Sequence, residues 1–232
     1  MTFTVVARSP EDGALGICLA TGPYGVASRC PHVRGGVAAI SSQCHSNPKL
    51  GRIGLDLAQN GMSPAEILTA LANYDPHFDY RQVGIVTHEG EVGVHSGAKG
   101  KAYTGHKLGD GFATLGNALA GPQVIEAMHA AYIEHSGQDF EERLMATLEA
   151  GYGAGGQPIG QCSAGLIVAL PGRHPRTDLR IDMANPLPEA GGDAVLELRR
   201  LFDAFKPLIP YYADYWPDHP EVYWKDWLKQ VG

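Results

Sequence analysis

Thr2 stands directly behind Met1 at the head of the run Thr2-Phe3-Thr4-Val5-Val6-Ala7-Arg8. Removing one residue would leave a hydroxyl and a free α-amine on the same amino acid. A threonine hydroxyl is scarcely ionised at neutral pH and needs a base within hydrogen-bond reach before it can act as a nucleophile. A terminal α-amine is such a base. Its ordinary pKa of about 7.7 to 8.0 lets it take up and return a proton near neutrality, which a lysine amine does only when strongly desolvated. The small Thr2 side chain permits removal of Met1. If Met1 stays, the Thr2 nitrogen is an amide with no useful basicity. A Met-Thr start without catalytic meaning is the alternative.

This chemistry needs partners. A tetrahedral intermediate calls for donors aimed at its oxyanion, and losing one such donor typically costs about 2.7 to 4 kcal/mol of barrier. The candidates are Asn117, which follows Gly116 at the end of an apolar segment, and Gln43, at the end of a strand. A turn or a strand-end polar group is the structural alternative for each. Arg34 is the candidate positive charge near the nucleophile, because the first lysine of the chain is Lys49; surface ion pairing is its commoner use. For substrate contacts the candidates are Gln43, His106, Gln161, Ser163 and Asp182, the last also able to position the amine. Each has a local alternative: a hydrogen-bonded structural His106, backbone satisfaction by Gln161 and Ser163, and an ion pair between Asp182 and Arg180. Cys18, Cys30, Cys44 and Cys162 form no Cys-x-x-Cys pair, and the histidines show no zinc-ligand spacing. Reduced, buried thiols and no metal or cofactor are expected.

The elements that hold these residues arrive in blocks. Strands are predicted over residues 2–8 and 13–21, joined by Ser9-Pro10-Glu11-Asp12-Gly13, then over 35–43, 81–87, 91–96, 112–116, 163–170 and 179–182. The turn-rich Pro171-Gly172-Arg173-His174-Pro175 separates the last two. Helical spacing covers 51–60, 63–74, 123–135, 138–151 and 194–205, and Ser63-Pro64-Ala65-Glu66 reads as a capping box with Pro at the first helical position. Strand hairpins interleaved with helix pairs suit an α+β protein: a four-layer αββα sandwich of two antiparallel sheets flanked by helices. Residues 1–205 are expected to form this domain. Residues 206–232 form an extension that holds all three tryptophans, interrupted by Pro217 and Pro220. Self-packing or subunit contact is the preferred use of these aromatics, ahead of a sugar-stacking platform.

With 232 residues, 44% apolar and 19% charged, the chain suits one large globular domain. Its net charge is −7 with no basic block, which argues against nucleic acid as a partner. No basic segment followed by an apolar stretch opens the chain, and no apolar run reaches the length of a membrane span. A cytoplasmic protein with no membrane partner, and a homo-oligomer, is expected.

Several motifs, in order along the chain, resemble the domain-of-unknown-function 1028 family. They are the opening run Thr2 to Arg8, Val33-Arg34-Gly35-Gly36-Val37 leading to Ser42-Gln43, Asn47 with Gly51 and Gly54-Leu55-Asp56-Leu57, Tyr80-Arg81-Gln82-Val83-Gly84, Gly116-Asn117-Ala118-Leu119-Ala120-Gly121-Pro122, and Gly160-Gln161-Cys162-Ser163-Ala164. The resemblance runs from Thr2 to about Phe202. Two departures are Ser42-Gln43, where Thr-Gln is commoner, and Leu50, where an aromatic is usual. That family is similar to the N-terminal-nucleophile hydrolases, and the resemblance implies their αββα sandwich and raises Thr2 as nucleophile without supplying a substrate. The function expected is hydrolysis of C–N amide bonds in small linear or peptide-like amides through Thr2 after loss of Met1. The first alternative is a noncatalytic member of the fold that binds a small ligand. A metal- or His-dependent enzyme using the same pocket is the second.

Overall fold

The computed structural model describes residues 1–172 and 175–231. The turn expected over 171–175 therefore falls partly, at Arg173 and His174, outside the described residues. The chain is α+β, with two antiparallel sheets. In the larger, β1 (Thr2–Arg8), β2 (Leu15–Thr21), β7 (Gly105–Gly109), β8 (Phe112–Asn117), β9 (Ser163–Ala169) and β10 (Pro175–Ile181) stand in the order β10-β9-β2-β1-β8-β7. In the smaller, β3 (Pro31–Arg34), β4 (Ala38–Cys44), β5 (Arg81–Thr87) and β6 (Val92–Ser96) follow one another.

Alternation along β1 sorts its side chains. Phe3, Val5 and Ala7 join a core with Met128, Leu144, Leu148 and Phe202, from the helices α4 (Gln123–Glu134), α5 (Phe140–Gly153) and α6 (Ala194–Phe205) that pack on the larger sheet. Val6 points the other way, into a second core with Ile17, Leu19, Ala39, Val86 and Leu115, where the two sheets face each other. A third core puts Ile40, Val83 and Ile85 against Leu50, Leu55, Ile67 and Leu71 of α2 (Pro48–Gln59) and α3 (Pro64–Tyr74). Central strands covered on both faces read as continuous apolar runs, which is why β1, β2 and β9 were legible.

Several boundaries differ from expectation for local reasons. The single strand predicted over 35–43 is two strands. Gly36 turns at φ 76° between β3 and β4, and a Cβ on Gly35 would lie 1.9 Å from the Leu170 carbonyl oxygen, so the turn passes hard against the end of β9. α2 begins at Pro48 because Asn47 accepts from Lys49 N–H, 3.2 Å, and caps it. The capping box of α3 is formed as predicted. β3 and β7 are edge strands whose Pro, His, Lys and Gly residues carry no apolar run, and β10 starts four residues early on a similarly polar segment. The short α1 (Val26–Arg29) follows β2.

The aromatic extension folds back on itself. Tyr211 is buried, its hydroxyl donates to Val222 O at 2.6 Å, and its ring lies 5.9 Å from that of Trp227. Trp227 belongs to α7 (Trp224–Val231), a helix not foreseen. No helix among the described residues is long and apolar enough to cross a membrane.

Candidate functional site

The space between the sheets is apolar along most of its length and turns polar at the Thr2 end of β1. On the larger sheet Thr2 pairs with Asn117, Thr21 pairs with Ser163, and the Phe3–Ala20 pair puts Thr21 across from Thr2. One cross-strand row thus reads Ser163, Thr21, Thr2, Asn117, on the same face as Val6, Leu19 and Leu115. On the smaller sheet the matching row is Gln43, Gln82 and Ser96. All of these except Ser96 are buried.

The two rows are tied by hydrogen bonds. Thr4 Oγ1 and Ser41 Oγ donate to Gln43 Oε1 at 2.7 and 2.8 Å. Gln43 Nε2 and Asn117 Nδ2 donate to Gln82 Oε1 at 2.9 and 3.0 Å. Gln82 Nε2 donates to the Gly105 and Gly116 carbonyls, each 3.0 Å away, with Ser96 Oγ at 2.8 Å. Gln157 bridges the loops outside, its Nε2 donating to Asn117 O at 3.1 Å and its Oε1 accepting from Gly22 N–H at 2.6 Å. Thr2 Oγ1 lies 3.4 Å from Thr21 Oγ1, and both hydroxyls donate to the Met1 carbonyl oxygen.

Two non-glycine residues take the left-handed conformation among the described residues. They are Cys44, φ 71°, and Ala118, φ 51°, immediately after Gln43 and Asn117. A side chain there costs about 1 to 3 kcal/mol, and both residues turn the chain away at the mouth of the polar layer. The Met1 ammonium sits at this mouth. Burial lowers its pKa below the ordinary α-amine range; Cys44 and Cys30 pull it back up and Lys101 pushes it further down.

The other candidates are dispersed. Arg34 lies at the far end of the β3–β4 hairpin, opposite Ala38, where it donates to Gln59 and pairs with Asp56 at 3.0 Å. Five residues of extended chain, about 17 Å, separate that end from Gln43, so Arg34 is not brought to Thr2. His106 stands on β7 at the rim, its Nδ1 2.9 Å from Ser96 Oγ, and burial, with His95 nearby, holds it toward the neutral form. Gln161 donates to Gln157 O at 3.3 Å, behind the row. Ser163 Oγ accepts from Val26 N–H at 2.9 Å. Asp182 accepts from the backbone of Ser28 and Gly25, 3.1 and 2.8 Å, and so anchors α1 instead of an amine. Arg180 pairs with Asp178, 2.6 Å, so the alternative of an Arg180–Asp182 ion pair is not formed.

Gln82, Thr4, Thr21 and Gln157 were not singled out from sequence. Their signal is a polar residue where strand alternation calls for an inward apolar one: Thr4 before Val6, Thr21 after Leu19, Gln82 before Val86. Gln157 lies in a loop and gives no such signal. No group of three His, Cys, Asp or Glu able to hold a metal occurs among the described residues. Cys18, Cys30 and Cys162 are free and buried, Cys44 free and half-buried. An open cleft of about 540 Å³ lies by Ser9, beyond the opposite end of β1, but its Arg176 is already paired with Glu141 and Asp12.

Asp75 braces the loop beside the site. It accepts from Asn47 Nδ2 and Arg81 Nε, each 3.0 Å, and from His77 N–H at 2.9 Å. Burial acts to raise its pKa, but these bonds, led by Arg81, outweigh it and bring the carboxyl down to about 2. A group held below its unfolded value of about 3.9 stabilises the fold above that pH and loses its contribution as pH falls through 2. Asp75→Asn should therefore lower unfolding free energy by about 1 to 3 kcal/mol at pH 7 and by much less at pH 2, as read from urea titrations at the two pH values.

The sequence matches, over residues 2–190, a family described as "Family of unknown function (DUF1028)". The structure is similar to the crystal structure of protein SPO2555 from Silicibacter pomeroyi, assigned to the same family. The TM-score is 0.80 and the identity 27%, over 92% of this chain and 88% of that one. None of the curated proteins matches.

Proposed function

The chain belongs to the DUF1028 family of unknown function, and from that premise we propose that it is an amidohydrolase whose nucleophile is Thr2 after loss of Met1. Part of the proposal is that the helix layers and the two sheets form the αββα sandwich of N-terminal-nucleophile hydrolases. The observation that carries it is the buried polar layer converging on a threonine at the head of a central strand. A layer of hydroxyls and amides between two sheets is costly unless satisfied, and here it surrounds the one residue whose nitrogen one cleavage would free.

In the proposed reaction Thr2 Oγ1 attacks the substrate carbonyl and passes its proton to the Thr2 α-amine. The C–N bond breaks, and the ammonium returns that proton to the leaving nitrogen. Water then attacks the acyl ester with the amine again as base, and Thr2 Oγ1 recovers a proton. Small linear or peptide-like amides are the proposed substrate class, with His106 at the rim to meet them. Arg34 and Asp182 have no part in it. Intact mass of the native protein tests the first requirement, and an amide panel assayed on processed parent and Thr2→Ala tests the second. Turnover that survives in Thr2→Ala sinks the proposal; a processed parent inert to the panel favours the small-ligand-binding alternative.

Met1 removal must precede folding. Thr2 is only 3% exposed, and β1 is flanked on both sides by β2 and β8, so an exopeptidase cannot seat the Met1–Thr2 bond in its own cleft once the sheet has formed. Folded protein that retains Met1 should resist a methionine aminopeptidase, and the same chain in mild denaturant should lose one methionyl mass.

A further inference from the structure

Gln82 fixes the orientation of the buried amides. A backbone carbonyl accepts and never donates, so Gly105 O and Gly116 O, each at 3.0 Å, hold the Nε2 end of Gln82 toward themselves. Its Oε1 end is thereby turned to Gln43 and Asn117, and both must present their NH₂ groups, at 2.9 and 3.0 Å. The remaining oxygen of Gln43 is satisfied by the hydroxyls of Thr4 and Ser41. The remaining oxygen of Asn117 is not. Asn117 is 1% exposed, and its Oδ1 has no partner among the described residues. An unpaired buried acceptor is a standing cost to the fold that a donor would remove.

The register shows which donor lies nearest. Arg8 N–H donates to Gly111 O, 2.9 Å, at the other end of the β1–β8 pair. Antiparallel ladders alternate, so every second pair from there, Thr2 with Asn117 included, is of the hydrogen-bonded kind, and the Thr2 nitrogen points at the Asn117 backbone. The Asn117 side chain rises from the same spot on the same face as that of Thr2.

We infer that Asn117 Oδ1 is the acceptor for the α-amine of Thr2 once Met1 is gone, which makes Asn117 a positioning residue for the base and Gln82 the residue that aims it. A neutral amine has two hydrogens and one lone pair. With its hydrogens accepted by O and Oδ1 of Asn117, the lone pair is what remains to receive the Thr2 hydroxyl proton. This role replaces that of an oxyanion donor for the Asn117 side chain. Its catalytic meaning rests on the proposed hydrolase, but the contact itself is tested without turnover.

The experiment is a titration of the Thr2 α-amine, by nitrogen-15 NMR, in processed full-length parent, Asn117→Asp and Asn117→Leu. A carboxylate at this position should raise the amine pKa by about 1 to 3 units. Leucine should lower it, because burial is then unopposed. Cys44, Cys30 and Lys101, the groups that act on the neighbouring Met1 ammonium, are the same in all three proteins. A purely structural role would lower the melting temperature of both variants without moving the amine in opposite directions. An amine that titrates in either folded variant as in the parent overturns the inference. If neither variant folds, a crystal structure of the processed parent decides: Thr2 N within about 3.2 Å of Oδ1 supports it, and a wider separation bridged by neither atom overturns it. An inert enzyme with the expected shifts would remove the hydrolase and leave this contact standing; an active one without them would do the reverse.

Discussion

A processed chain carrying Thr2→Ala is expected to lose amide hydrolysis by at least about 10³-fold, with the fold intact. The rate loss is large because no other group in the polar layer combines a hydroxyl with a base on the same residue. Thr21 and Thr4 have hydroxyls, but their nitrogens are peptide amides within strands. The stability loss is smaller, about 1 to 2 kcal/mol, since one hydroxyl and one buried methyl are removed. That contrast makes the variant informative. Thr2→Ser should retain much of the activity, because the hydroxyl and amine keep their relation. Thr21→Val, which removes the neighbouring hydroxyl 3.4 Å away, should reduce turnover less than Thr2→Ala does. Rates on the same amide panel, with intact mass confirming loss of Met1 in each protein, give the comparison. Equal rates for Thr2→Ala and parent would end the proposal.

Gln82→Leu is expected to be the costliest single change to the fold at the site, about 3 to 5 kcal/mol. Leucine fills much the same volume, so the penalty is polar and not one of packing. It strips the Gly105 and Gly116 carbonyls of a donor and leaves the NH₂ groups of Gln43 and Asn117 without their shared acceptor. Neither freed amide can turn to solvent, because Gln43 is fully buried and Asn117 nearly so. Against a total stability of about 5 to 15 kcal/mol for a domain, such a loss should be plain as a lower urea midpoint. Ser96→Ala, which removes a half-buried contact of the same amide, should cost less than about 1 kcal/mol. A Gln82→Leu midpoint close to that of Ser96→Ala would mean that the amide network does not act as a unit.

Much of the fold is written in local pattern. The apolar runs of β1, β2 and β9 are continuous because helices cover one face and the second sheet the other, and Ser63-Pro64-Ala65-Glu66 carries the chemistry of a helix start on its own. The unforeseen β3, β7 and α7 mark where that code weakens. An edge strand has one neighbour and mixed exposure, so Gly105-His106-Lys107-Leu108-Gly109 shows no run to detect. α7 shows Trp224, Trp227 and Leu228 at helical spacing, but eight residues directly after Pro217 and Pro220 are too few for the pattern to stand out.

The site divides in the same way. Thr2 was identifiable from its place behind Met1, and Asn117 and Gln43 because each is a polar residue ending an apolar segment. Arg34 was misplaced because a strand-end cation says nothing about which end of the sheet it occupies; only the β3–β4 turn, pressed on Leu170, sends it to the far side. Gln82 stayed hidden for a related reason. A glutamine at the start of a strand looks like solvent-facing polarity until a second sheet covers it.

By itself, then, the sequence determined the long apolar strands, the main helices with their apolar faces and the loaded threonine at the chain's head, since propensity and alternation act over a few neighbouring residues. Tertiary structure alone decided which inward polar positions meet. Thr2, Thr21, Gln43, Gln82 and Asn117 come from five strands on two sheets, and their convergence depends on register and on sheet-to-sheet packing, which no local pattern encodes.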